Sequence, residues 1–157
     1  MAWGILSGTV WMQADASTSV VCVWTRYDGI ATHVGPNDPR NGWQYPWAEV
    51  LENRLTGRAA RGSIPDGATI EDFPNPVALR LAMDDHSVLG KWVYIRALNA
   101  EGRIAAFRVL DAMAAELVNP AFKGRIADLT PDAMRYLNGG TLAGGLRIAL
   151  YVPRCDG

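Results

Sequence analysis

A mainly β fold, a small barrel of about six short strands with one or two short helices and long loops, is predicted by three observations. Several stretches either alternate apolar and polar residues or run apolar throughout, as strands do. Helical periodicity is confined to two short stretches near residues 47–55 and 131–137. The intervening segments are rich in Gly, Pro, Asn and Asp, the residues that turn a chain.

The elements follow in chain order. Gly8 to Met12 and Val20 to Arg26 read as strands around the turn at Asp15 to Ser19, and Val20-Val21-Cys22-Val23-Trp24 is apolar on both faces. Residues 28–46 read as loop. Trp47 to Leu55 is read as a short helix with Trp47, Val50, Leu51 and Leu55 inward. Residues 57–76 are again loop. Val77 to Met83 alternates and reads as a half-buried strand. Trp92 to Leu98 and Arg103 to Leu110 are two strands around the polar turn Asn99-Ala100-Glu101-Gly102, with Ala105, Phe107 and Val109 on one face. Thr130-Pro131-Asp132 is a helix start: an N-cap, a Pro at the first helical position and an acid near the positive helix end. Asn138-Gly139-Gly140 stops that helix. Leu146 to Val152 alternates as a last strand, which Pro153 ends.

With 157 residues and a formal net charge of −1, the chain is expected to form one barrel domain over residues 25–157, preceded by an extension at 1–24 that offers a partner contact. The charge balance gives no reason to expect nucleic acid, and no apolar run approaches the roughly 20 residues of a membrane span. No basic residue precedes Arg26, so no secretion signal is read. Only Cys22 and Cys155 carry thiols. Two reduced, structural cysteines are the expectation; a bridge is the alternative if the first and last strands are neighbours. His33 and His86 are the only histidines, no spacing suggests a metal site, and no cofactor is expected. Trp3, Trp11, Trp24 and Trp92 are read as core or as oligomer contacts.

Three blocks, in order, resemble the double-psi β-barrels of the barwin, expansin and rare-lipoprotein-A type: Ala31-Thr32-His33-Val34-Gly35, Phe107-Arg108-Val109-Leu110-Asp111, and Ile126-Ala127-Asp128-Leu129-Thr130-Pro131-Asp132-Ala133-Met134. Two departures stand out: His33 occupies the usual aromatic position, and Ala112-Met113 replaces the usual Pro or Cys after the acid. The resemblance implies a six-stranded double-psi barrel that binds, loosens or cleaves cell-wall glycan, peptidoglycan above all.

It also implies a groove around Asp111. A carboxyl at a strand end among Phe107, Leu110 and Met113 has the setting for a raised pKa and for a general acid acting on a glycosidic oxygen, as in a lytic transglycosylase. Asp38 is the candidate second carboxylate. The plain alternative for Asp111 is a turn cap. Thr32 either hydrogen-bonds to Asp111 or is a plain strand residue, and His33 either lines the groove or is a hydrogen-bonded surface residue. Trp43, Tyr45 and Trp47 form an aromatic loop cluster that either stacks on sugar rings or packs over the barrel mouth. Asp128 is read as a structural acceptor beside the helix cap Thr130. The other functional class is a structural or assembly protein of a phage particle, in contact with virion subunits or with itself. Without a leader, the expected location is the virion, a host cytoplasm from which the protein is released, or a bacterial cytoplasm.

Overall fold

The computed structural model describes residues 3–6, 9–13, 19–34, 38, 44–113 and 123–155, with side chains from residue 20 onward. Among the described residues the elements are eight strands and three short helices: β1 Trp3–Leu6, β2 Thr9–Gln13, β3 Ser19–His33, α1 Trp47–Leu55, β4 Pro76–Leu79, α2 Leu81–Asp84, β5 Trp92–Ala97, β6 Ile104–Ala112, β7 Arg125–Leu129, α3 Pro131–Leu137 and β8 Leu146–Cys155. Six of the strands close on themselves in the order β3-β7-β4-β6-β5-β8, with β8 returning to β3. The protein is therefore mainly β, a closed six-stranded barrel with three short helices and loops.

The pairing mixes directions. β3–β7 and β4–β6 are parallel, whereas β4–β7, β5–β6, β5–β8 and β3–β8 are antiparallel. Each parallel pair requires the chain to cross over before returning to the sheet, which is why long segments separate β3 from β7 and β4 from β6. The interior is filled by alternate residues of each strand: Val93, Ile95 and Ala97 of β5, Phe107 and Val109 of β6, Ala127 and Leu129 of β7, and Ile148, Leu150 and Val152 of β8.

β3 is long because it serves two sheets. Its first residues, Ser19 to Val23, pair with β2, and Cys22 to Ala31 pair with β8. The β1–β2 hairpin thus continues the sheet past the barrel, and the change from extension to barrel falls inside one strand. Residues 28–33, read from composition as loop, are the second half of that strand; Gly29 there passes close to β7, where an added Cβ would meet the Ile126 side chain at 2.7 Å.

Two strand ends differ from the sequence reading. Val77 to Met83 is not one strand: β4 stops at Leu79 and a helical turn, α2, begins at Leu81. Val77, Ala78 and Leu79 are all buried, so the alternation seen in the sequence is not the burial pattern of the strand. β8 runs through Pro153 to Cys155. Its pairing with β5 ends at Tyr151, so beyond that point only β3 lies beside it and the missing Pro153 N–H can face the open side. The extension sets Cys155 opposite Cys22, and the two are joined in a disulfide, not held as free thiols. No helix among the described residues is long and apolar enough to cross a membrane.

Candidate functional site

One register row across four strands gathers most of the polar residues singled out above. Ala78 of the short strand β4 is the partner of Asp111 on β6 and of Asp128 on β7, and Asp128 is in turn the partner of Thr32 on β3. Ala127 and Leu129 point into the barrel, so Asp128 between them points out, and Thr32 beside it does the same. The two carboxylates therefore stand on the outside of the barrel wall, on either side of one alanine.

Each carboxylate has its own arginine. Asp111 accepts a hydrogen bond from Arg54 Nη2 at 2.7 Å, and its Oδ1 also accepts from the Ala112 amide at 2.8 Å. Arg54 is only 6% exposed and is used completely: its Nε donates to the Leu110 carbonyl at 2.6 Å and its Nη1 to the Ala60 carbonyl at 2.5 Å. Burial pushes the Asp111 carboxyl up to about 6, a rise opposed by the Ala112 amide and reinforced by the charge of Asp128. The guanidinium 2.7 Å away favours the charged form and holds the group as a carboxylate at neutral pH. Burial lowers the Arg54 pKa from its ordinary value, but an arginine remains a cation.

Asp128 accepts from the Thr32 hydroxyl, and Arg125 closes the group, with Nη2 at 2.5 Å from Thr32 Oγ1 and 3.5 Å from Asp128 Oδ1. Thr32 thus binds Asp128, not Asp111, and joins β3 to β7. Thr130 caps α3 through its Oγ1, which accepts from the Ala133 amide at 3.2 Å.

The proposed second carboxylate lies in another setting. Asp38 is buried and forms a pair with the equally buried His33, Oδ2 to Nδ1 at 3.4 Å. Residue 33 is the register partner of the inward-facing Leu129, so this pair belongs to the barrel interior and not to the outer row that holds Asp111. His33 is a core residue here and does not line an open groove.

The aromatic cluster divides. Trp43 lies outside the described residues. Tyr45 and Trp47 pack against each other with ring centroids 4.4 Å apart, Trp47 buried and Tyr45 half-buried. Both line an open depression of about 430 Å³, whose other walls are Gln44, Pro46, Ala48, Ile70, Phe73, Pro76 and Thr130. The Trp47 indole N–H is buried without a hydrogen-bond partner among the described residues. Asp111 does not line this depression.

Arg54 is the residue that sequence reasoning missed. It lies seven positions after Trp47 and three after Leu51, on the inward stripe of α1, and a cation there requires an acid opposite. Among the described residues, no group of three or more His, Cys, Asp or Glu side chains could hold a metal ion. Compared with known proteins, the sequence matches no protein-family model, and no curated protein matches it.

Proposed function

We propose that this chain is a cell-wall glycan-binding barrel of the double-psi group, one that holds peptidoglycan without cleaving it. The observation that carries the reading is the separation of the two candidate functions. The half-buried Tyr45 ring, packed on the buried Trp47, lines an open depression, as suits stacking on a sugar, with Gln44 and Thr130 on its wall for the sugar's own hydroxyls. The acid expected to do chemistry is elsewhere: Asp111 does not line the depression and is tied to Arg54 in a part-buried ion pair. The two parallel strand pairs held together through β4–β7 support the double-psi assignment, alongside the three sequence blocks.

Co-sedimentation with purified insoluble peptidoglycan, with soluble muropeptides followed by mass spectrometry, tests this. Wild type and Asp111→Asn are expected to bind alike and to release nothing, and Tyr45→Ala to bind less. Fragment release by wild type that disappears in Asp111→Asn would overturn the reading and make Asp111 a catalytic acid.

A second reading, a structural component of a phage particle, is favoured by one feature. The β1–β2 hairpin extends the sheet past the barrel and ends, among the described residues, in a strand paired on one side only. Neither binding nor release in the same experiment would select it.

A further inference from the structure

The outer face of β8 and β5 breaks the usual rule for an antiparallel sheet, apolar inside and polar outside. Ile148, Leu150 and Val152 point into the core, so Arg147, Ala149 and Tyr151 point out; Trp92, Tyr94 and Arg96 likewise alternate with Val93, Ile95 and Ala97. Tyr94 lies opposite Tyr151 and stacks on Trp24 of β3 at 5.3 Å, while Arg96 lies opposite Ala149. On β6 the same face carries Ile104 opposite Arg96. Trp92, Tyr94 and Ile104 are 44%, 41% and 49% exposed. Trp92 is thus surface, which leaves contact with another molecule as the surviving half of its sequence reading.

The composition is that of a binding hot spot: Trp, Tyr and Arg. Its charge is one-sided. Arg26 is bound to Asp28 at 2.8 Å, but Arg96 has no ion pair among the described residues, and Arg147 adds a further cation beside Asp28. A matching surface must offer carboxylates next to a place for a ring.

A surface of this kind lies at the start of α1, next to the Arg108 guanidinium that sits over both Trp92 and Phe73. Exposed Glu49 follows Ala48 and exposed Glu71 follows Ile70, two of the residues that line the open depression at the start of α1. Neither glutamate has an ion-pair partner among the described residues. A net charge of −1 puts no general repulsion between copies. We infer that the aromatic–arginine face of β5 and β8 docks onto the depression flanked by Glu49 and Glu71 on a second copy of this chain. The two surfaces differ, so the contact is head-to-tail and continues into a ring or a filament. The depression is the one the glycan reading uses, so a docked copy and a sugar compete for it.

Sedimentation of the full chain over a wide concentration range tests it. Wild type is expected to self-associate. Trp92→Ser/Tyr94→Ser, Arg96→Glu/Arg147→Glu and Glu49→Arg/Glu71→Arg each change only exposed or half-exposed side chains and are expected to raise the concentration needed by at least about tenfold. Mixing the two charge-reversed variants restores association, because each then meets its opposite. A wild type that stays monomeric throughout overturns the inference. So does a Glu49→Arg/Glu71→Arg variant that associates like wild type, which would make the contact face-to-face. Loss of peptidoglycan co-sedimentation in Trp92→Ser/Tyr94→Ser, with a monomeric wild type, would make the face a sugar platform instead.

Discussion

Replacing Arg54 by Met keeps the volume and the apolar stem of the side chain while removing every polar contact it makes. Two carbonyls, Leu110 and Ala60, lose a charged donor, and Asp111 loses its counter-ion in a place where only 17% of its side chain is exposed. Removing one member of a buried pair costs about 3–5 kcal/mol, because the remaining charge is left without a partner; the lost carbonyl contacts fall within that figure, not on top of it. The cost carries a pH signature. The Asp111 carboxyl sits near about 6 in the folded protein and near about 3.9 in the unfolded chain, so the native state takes up its proton first as pH falls. Its ionisation therefore weakens the fold as pH rises from about 4 through about 6, by up to about 3 kcal/mol. Without Arg54 the native carboxyl rises further and the loss deepens. Urea unfolding followed by tryptophan fluorescence is expected to give a larger penalty for Arg54→Met near pH 8 than near pH 5, where the carboxyl is largely neutral in both proteins. Asp111→Asn in the Arg54→Met background is expected to recover much of the difference. A penalty below about 1 kcal/mol, or one equal at both pH values, would refute the ion-pair account and return Asp111 to the list of acids free for chemistry.

Three further outcomes follow from the same contacts. Reducing the Cys22–Cys155 bridge, or replacing both by Ser, opens a loop spanning 133 positions and is expected to lower stability by up to about 5 kcal/mol in the chain-entropy account, measured by thermal unfolding with and without reductant. Thr32→Val leaves Asp128 and Arg125 short of a shared partner and is expected to cost about 1–3 kcal/mol, whereas Thr32→Ser is expected to cost far less. Thr130→Ala removes the cap of α3 at about 1 kcal/mol, read from the urea midpoint.

How far the sequence could be read depends on which residues set each feature. The α3 start needs only Thr130, Pro131 and Asp132, and it stands where those residues put it. The helix at Trp47–Leu55 follows from the spacing of its apolar residues alone. Local patterns of this kind are legible because neighbours in the chain decide them. β3 was only half legible: its polar second half, Asp28 to His33, is held by β8 and β7, which arrive more than ninety positions later. The disulfide had the same difficulty, since it depends on the register between the first and last barrel strands.

The site was harder for a sharper reason. An acid at a strand end among apolar residues is what both a general acid and half of a buried ion pair look like, and the deciding residue, Arg54, lies 57 positions away on a helix. One signal was present. Trp47, Leu51 and Arg54 share the inward stripe of α1, and a cation on a buried stripe is seldom tolerated without an anion facing it. Asp111 and Asp128 are the two acids set among apolar strand residues of β6 and β7, so the stripe alone narrows the partner to two. Arg125 reaches Asp128 although positions three apart on a strand ordinarily face opposite sides; the register shift opposite Ile30 and Ala31 brings them together, and no local pattern announces it. Counting buried cations against buried acids would have pointed to an ion pair at Asp111 before any role was assigned to that acid.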